Sequence, residues 1–165
     1  MALSALLEAI ARQEETLVLD RFDEDIAWRL GSLLREWANT DALPIVIDIG
    51  LFHRQLFFSA LPRSTPDNIE WARRKRNVVE RYHRSSYRVG RELAAKNDTL
   101  ANRYGLPLTD FAEHGGGFPL TLAGAGVIGA AVVSGLPQRD DHQLVVRALA
   151  AVIGHDVEAL VLPDG

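Results

Sequence analysis

A histidine followed by three glycines marks the place in this chain where side-chain chemistry and backbone freedom coincide. The run reads Glu113-His114-Gly115-Gly116-Gly117-Phe118-Pro119-Leu120-Thr121-Leu122. Consecutive glycines lose backbone entropy and add no packing inside a helix or strand. They belong where backbone turns tightly or comes close to another group. Such a loop can aim several N–H groups at a carboxylate or oxyanion. It can equally be a strained entry into a strand that begins at Phe118. His114 adds a side chain that titrates near neutrality and ligates metals. The spacings of the Walker and Rossmann phosphate loops are absent.

A second chemical feature lies upstream. Between Trp71 and Arg91 stand Arg73, Arg74, Lys75, Arg76, Arg81, Arg84, Arg88 and Arg91 against Glu80 alone, a local charge of +7 in a chain whose total is −4. Four consecutive basic residues on a helix point in every direction, so at least one leans towards packed structure or a partner. Charged helical faces are most often solvated and paired with acidic surface. Arginine forks also bind carboxylates and phosphates well, which makes the stretch a candidate anion site. The basic run is short and the rest of the chain acidic, which argues against nucleic acid as a partner.

Other combinations are weaker. The remaining histidines are His53, His83, His142 and His155, and no pair has the helical spacing of a zinc site. His142 follows Asp140-Asp141 directly. Ser85 or Ser134 could enter a serine triad only on paper, because no Gly-x-Ser-x-Gly elbow accompanies them. Asp110 and Glu113 are possible acids or bases, or caps of an irregular segment. Trp28, Trp37 and Trp71 read as core or interface aromatics.

The elements that must position these residues follow from periodicity. Apolar spacing predicts a helix over 4–12 and a strand over 16–19. A second helix is capped by Asp23 and runs to about Asn39. Strands follow over 44–49 and 52–60, linked tightly as an antiparallel hairpin. In the second of these, Phe52, Arg54, Leu56 and Phe58 share one face. Thr65-Pro66 starts a helix that continues to Asn97 with a break at Ser85-Ser86, and a helical turn covers 100–104. Strands over 118–122 and 127–134 come next, the latter so apolar that it belongs at the sheet centre. Pro137 opens a final helix, and the tail after Gly154 reads as loose. The order α-β-α-β-β-α-α-β-β-α predicts an α/β (α+β) fold with a five-stranded, mainly antiparallel sheet and helices on its faces.

Composition sets the outer bounds. At 165 residues the chain is read as one domain over 1–165. Without cysteine there is no disulfide, thiol catalysis or iron–sulfur ligation, in keeping with a reducing compartment. The N-terminus, starting at Met1, reads as an amphipathic helix rather than a signal peptide. No apolar run approaches the ~20 residues that span a bilayer. A cytoplasmic protein with no membrane partner is expected.

Several motifs then fall in the order of a known family. His114-Gly-Gly-Gly-Phe-Pro, Gly126-Val-Ile-Gly-Ala-Ala-Val-Val-Ser-Gly135, Leu136-Pro137 and Asp141-His142 resemble the GlcG/HbpS-like haem-degrading-domain proteins. Trp71-x-x-Arg74-Lys75-x-x-x-Val79 and Ser85-Ser86-Tyr87 are similar to the short cytoplasmic branch of that family. The likeness spans roughly 18–152. It implies a profilin-like sheet and symmetric homo-oligomers. It also implies haem as cofactor, with His114 the metal ligand, and Arg74, Lys75 and the amides of Gly115, Gly116 and Gly117 holding propionates. Phe118, Ser85, Ser86 and His142 complete the expected ligand-binding set. Three readings stay open: haem or tetrapyrrole binding with or without slow degradation, a pocket or enzyme for a small anionic metabolite, and a non-catalytic assembly protein.

Overall fold

The structure, a computed structural model, describes residues 2–164. Met1, part of the N-terminal reading, lies outside them. Helix α1 covers Ala2–Thr16, strand β1 Val18–Leu19, helix α2 Glu24–Thr40, and the hairpin β2 Val46–Leu51 with β3 Arg54–Ala60. Helices α3 (Pro66–Tyr82), α4 (Ser86–Ala94) and α5 (Leu100–Tyr104) follow, then β4 (Gly117–Leu122), β5 (Gly126–Ser134) and α6 (Gln138–Ile153).

Local chemistry explains most boundaries. Asp23 caps α2, its Oδ1 accepting from Ile26 N at 2.9 Å, and Glu24 and Asp25 complement the positive end of the helix. Thr65 precedes Pro66 at the start of α3, and Thr65 N donates to Asn68 Oδ1 at 2.8 Å. The expected break in the long helix falls at His83, whose φ of 53° turns the chain out of α3. Ser85 then caps α4 by accepting from Arg88 N at 3.1 Å.

The sheet order is β1-β4-β5-β2-β3. Strand β1 runs parallel to β4 and every other pairing is antiparallel, so the mainly antiparallel five-stranded sheet is present. Strand β5 is central because it is apolar on both sides. Ala131 and Val133 join Ile47, Phe118, Leu120 and the α2 and α6 residues Leu30, Leu34 and Leu149 in the larger core. Ala130 and Val132 face the other way, against Val46 and the α3 residues Ala72 and Val79. The sheet is thus covered on both faces.

Three details differ from expectation. Helix α1 runs to Thr16, so β1 keeps only two residues. In β3 the alternation of faces is broken: Leu56 packs with Phe57 against the larger core while Phe58 is exposed, where the pairing with β2 shifts register between Ile49 and Gly50. The tail is not loose: Leu160 and Leu162 are buried, and Leu162 packs with Ile10 and Tyr87. Among the described residues no helix is long and apolar enough to cross a membrane.

Candidate functional site

The four consecutive basic residues of α3 diverge as helical geometry demands. Arg73 pairs with Glu70 and Asp110. Arg76 pairs with Asp48 of β2. Lys75 turns inward past the glycine loop, and Arg74 lies over the Trp71 ring, its Cζ 4.4 Å from the centroid.

Lys75 reaches the far side of the sheet end. Its Nζ donates to Asp141 Oδ2 at 3.0 Å and to the Val133 carbonyl at 3.2 Å, and the two charged side chains are only 4% and 1% exposed. Asp141, in the first turn of α6, also accepts from Gly135 N at 3.2 Å and Leu136 N at 3.0 Å. Burial pushes the Asp141 carboxyl up to about 6 against the pull of Lys75 and these two N–H groups. Burial likewise pushes Lys75 down, partly offset by Asp141.

Gly116 is what lets the lysine through. Its φ is +134°, and a Cβ there would sit 2.2 Å from the Val133 carbonyl oxygen and 2.8 Å from Lys75 Nζ. No other residue type meets both demands.

Beside this pair opens a hollow of about 220 Å³ lined by Trp71, Lys75, His114, Ser134, Gln138 and Asp141, among others. The basic helix contributes Trp71 and Lys75 to this space and the glycine loop contributes His114, while Gly115, Gly116 and Gly117 do not line it. His114 is exposed at its mouth, its ring packed edge-on to Trp71 with centroids 5.0 Å apart. Partial burial holds the His114 imidazole below its ordinary range, and the charges of Lys75, Arg74 and Arg91 add to this. At neutral pH it is uncharged and can donate a lone pair.

Two elements grip the strap leading into His114. Ala112 N donates to the Arg74 carbonyl at 3.2 Å. Gly90 of α4 lies so close to the Glu113 carbonyl that a Cβ would come within 1.9 Å. Arg74 shares the Trp71 ring with His114, and Arg91 lies over Tyr87, a ring that a Cβ on the adjoining Gly115 would approach to 3.1 Å.

Not all the expected ligand residues join the hollow. Ser85 caps α4, and Ser85 N donates to Glu14 Oε1 at 2.7 Å. Ser86 Oγ accepts from Gly117 N at 3.0 Å, and Gly115 N donates to Gln138 Oε1 at 3.1 Å, so two of the three loop amides are occupied by the fold. Phe118 is fully buried in the main core. His142 is fully buried too: its Nε2 donates to Gln13 Oε1 at 2.7 Å, and desolvation pushes its pKa down to about 3. Gln13 in turn donates to Gln143 Oε1 and the Leu160 carbonyl, so His142 ties α6 to α1 and the tail. Lys75 and His114 are the expected residues that do line the hollow.

Trp71, Ser134, Gln138 and Asp141 line the hollow without having been expected there. Trp71 carried a signal in its i, i+4 spacing to Lys75, which puts both on one helical side, and Ser134 and Asp141 stood in motifs that gave them no place in a pocket.

Comparison with known proteins follows the same outline. Residues 22–150 match the family described as HbpS-like haem degrading proteins. A UPF0303 protein of Paraburkholderia xenovorans is 53% identical over 156 residues, 94% of each chain. A UPF0303 protein of Acidobacterium capsulatum is 52% identical over 164 residues, 99% of each. Among solved structures, the Ybr137w protein superposes with a TM-score of 0.83 at 26% identity, covering 90% of this chain and 88% of that one. A PduOC–haem complex gives 0.68 at 19% identity, with 79% and 94% covered.

Proposed function

The chain belongs to the HbpS-like haem degrading protein family, and from that premise we propose that it binds haem or a related tetrapyrrole at the His114 ledge. The observation that carries this reading is His114 itself, an exposed imidazole held neutral among three cationic side chains. A neutral imidazole is a common axial ligand of haem iron, and guanidinium groups suit propionate carboxylates.

The donors at the ledge fit such a ligand, while the hollow behind it does not enclose one. Its volume of about 220 Å³ falls below the ~300–1,000 Å³ of ordinary ligand pockets. Only groups at the mouth are positioned for a larger molecule. The described residues also contain no group of three or more His, Cys, Asp or Glu that would hold a bare ion. A lone histidine suits a metal already chelated by a macrocycle.

When bound, haem supplies iron-centred ligand and redox chemistry. The protein supplies His114 as ligand, Arg74 braced on Trp71 as a carboxylate partner, and a rigid floor. Lys75 belongs to that floor, because Asp141 and the Val133 carbonyl already engage its ammonium. The reading is one of binding, with residues 1–165 acting as one domain. Self-assembly is part of it: Trp28 is 65% exposed and Phe58 40% exposed, and β3 is a free sheet edge.

Hemin titrated into purified protein is expected to give a saturable Soret shift that His114→Ala abolishes. A shift that survives in His114→Ala, or no saturable shift, refutes the assignment. Light scattering of the eluted protein tests assembly, which a monomer mass would refute.

A further inference from the structure

We propose that Arg74 and Arg91 form a two-guanidinium clamp, flanking His114, for the carboxylate of a ligand with an apolar or aromatic body. This deepens the reading of the His114 ledge and rests on it for the place, but not for the iron.

Of the six other basic residues between Trp71 and Arg91, Arg81 is exposed to solvent and five are paired. Arg73, Lys75, Arg76, Arg84 and Arg88 each meet a carboxylate of this chain. Arg74 and Arg91 come from different helices and stack on the two rings next to His114-Gly115, Trp71 and Tyr87, yet neither makes such a pair among the described residues. Their Nε atoms are both buried and without a hydrogen-bond partner. Buried donors in folded proteins are almost always satisfied, and a buried donor on a charged group is among the costliest to leave alone. The terminal nitrogens of both forks are likewise unbonded among the described residues but, unlike Nε, are not buried, so they are the donors that an acceptor arriving from outside would meet.

The neighbouring acids are committed elsewhere. The Glu113 carboxylate accepts from Leu100 N at 2.7 Å, and Asp141 is taken by Lys75, Gly135 and Leu136. Both guanidiniums are braced by aromatic rings: Arg74 lies 4.4 Å from the Trp71 centroid, and Arg91 5.8 Å from that of Tyr87. Stacking holds the planar fork in place while leaving its edge free to bond. Trp71 and Leu136 add apolar wall at the same mouth. An acidic head with a flat or apolar body matches this combination better than a fully hydrated ion.

The carboxylate could be a side arm of a macrocycle or a free organic acid, and calorimetry separates the two. The probes are iron-free protoporphyrin, its dimethyl ester, and benzoate. Wild-type protein is expected to bind iron-free protoporphyrin saturably and its ester at least tenfold more weakly. Arg74→Ala and Arg91→Ala should each lose tenfold or more. Arg91→Lys, which keeps the charge and guards against misfolding of the alanine variant, should lose several-fold. Arg81→Ala, an exposed arginine on the same helix as Arg74, should bind as wild type does.

Benzoate binding with the same arginine dependence assigns the clamp to free acids, and protoporphyrin binding alone assigns it to side arms. Equal binding of acid and ester overturns the clamp, as does no binding of any probe or an equal loss in Arg81→Ala. A hemin Soret shift unchanged in both arginine variants removes the clamp but leaves His114 as ligand. Carboxylate binding in a protein that gives no hemin shift removes the iron and leaves the clamp.

Discussion

Arg74 and Lys75 are neighbours in one helical turn and meet opposite fates. Lys75 is buried, bonded to a carboxylate and a carbonyl, and held by a glycine that admits nothing larger. Arg74 is half-buried, stacked on an indole, and retains a buried N–H with no partner among the described residues. The first arrangement is complete within the chain, and the second lacks an acceptor. A positive charge that the fold has already neutralised serves architecture; one it has left open serves recognition.

The sharpest way to break this contrast is to remove the buried cation. Lys75→Met leaves Asp141 buried without its counter-charge and should cost ~3–5 kcal/mol in urea unfolding at neutral pH. The penalty should be largest in alkaline solution and shrink as pH falls towards about 6, because without the pull of Lys75 the Asp141 carboxyl takes up its proton above that value. A loss below ~1 kcal/mol would mean that the pair is not structural. Gly116→Ala attacks the same pair through its passage and should cost about 3 kcal/mol from positive φ and overpacking together. Thermal melts compared with Gly124→Ala, at a glycine whose added Cβ would meet open space, separate crowding from backbone strain.

Acid tests the paired side differently. The His142 pKa is depressed in the fold, so the unfolded chain binds a proton there that the native chain refuses. Stability from this residue is present above its unfolded pKa near 6.5 and is lost as pH falls towards about 3. Asp141, raised in the fold, works in the opposite sense and gains as pH falls from about 6. Against His142→Gln, wild type should lose ~1.4 kcal/mol per pH unit between roughly pH 6 and 4. Parallel pH curves for the two proteins would show that His142 does not carry the effect.

The smallest effect belongs to the open side. Arg91→Ala should change ligand-free stability by about 1 kcal/mol or less, since only ring stacking is lost. A larger loss on chemical denaturation would make Arg91 a structural residue and erase its difference from Lys75.

Much of the architecture was legible from residues near one another in the chain. Asp23, Thr65-Pro66, Ser85 and Gly105 each act within a turn of their own position, so the starts of α2, α3 and α4 and the end of α5 could be read directly. The apolar run of β5 announced a central strand. The site was legible only in outline. His114, the glycine triplet and the basic helix were visible, but the amides of Gly115 and Gly117 turned out to be engaged by Gln138 and Ser86. Spacing cannot show that, because those acceptors lie 23 and 31 residues away.

The sequence by itself determined the helices and strands, their caps, the order of the elements, and the concentration of positive charge on one helix. These depend on periodicity and on contacts within a turn. Only the tertiary structure decided which cation goes where. Arg73 meets Asp110 across 37 residues, Arg76 meets Asp48 across 28, and Lys75 meets Asp141 across 66. Charge attraction is cheap to satisfy with water and acts between any pair brought close. Which pair is brought close, and which arginine is left facing outward, follows from packing two helices and the end of the central strands around three glycines.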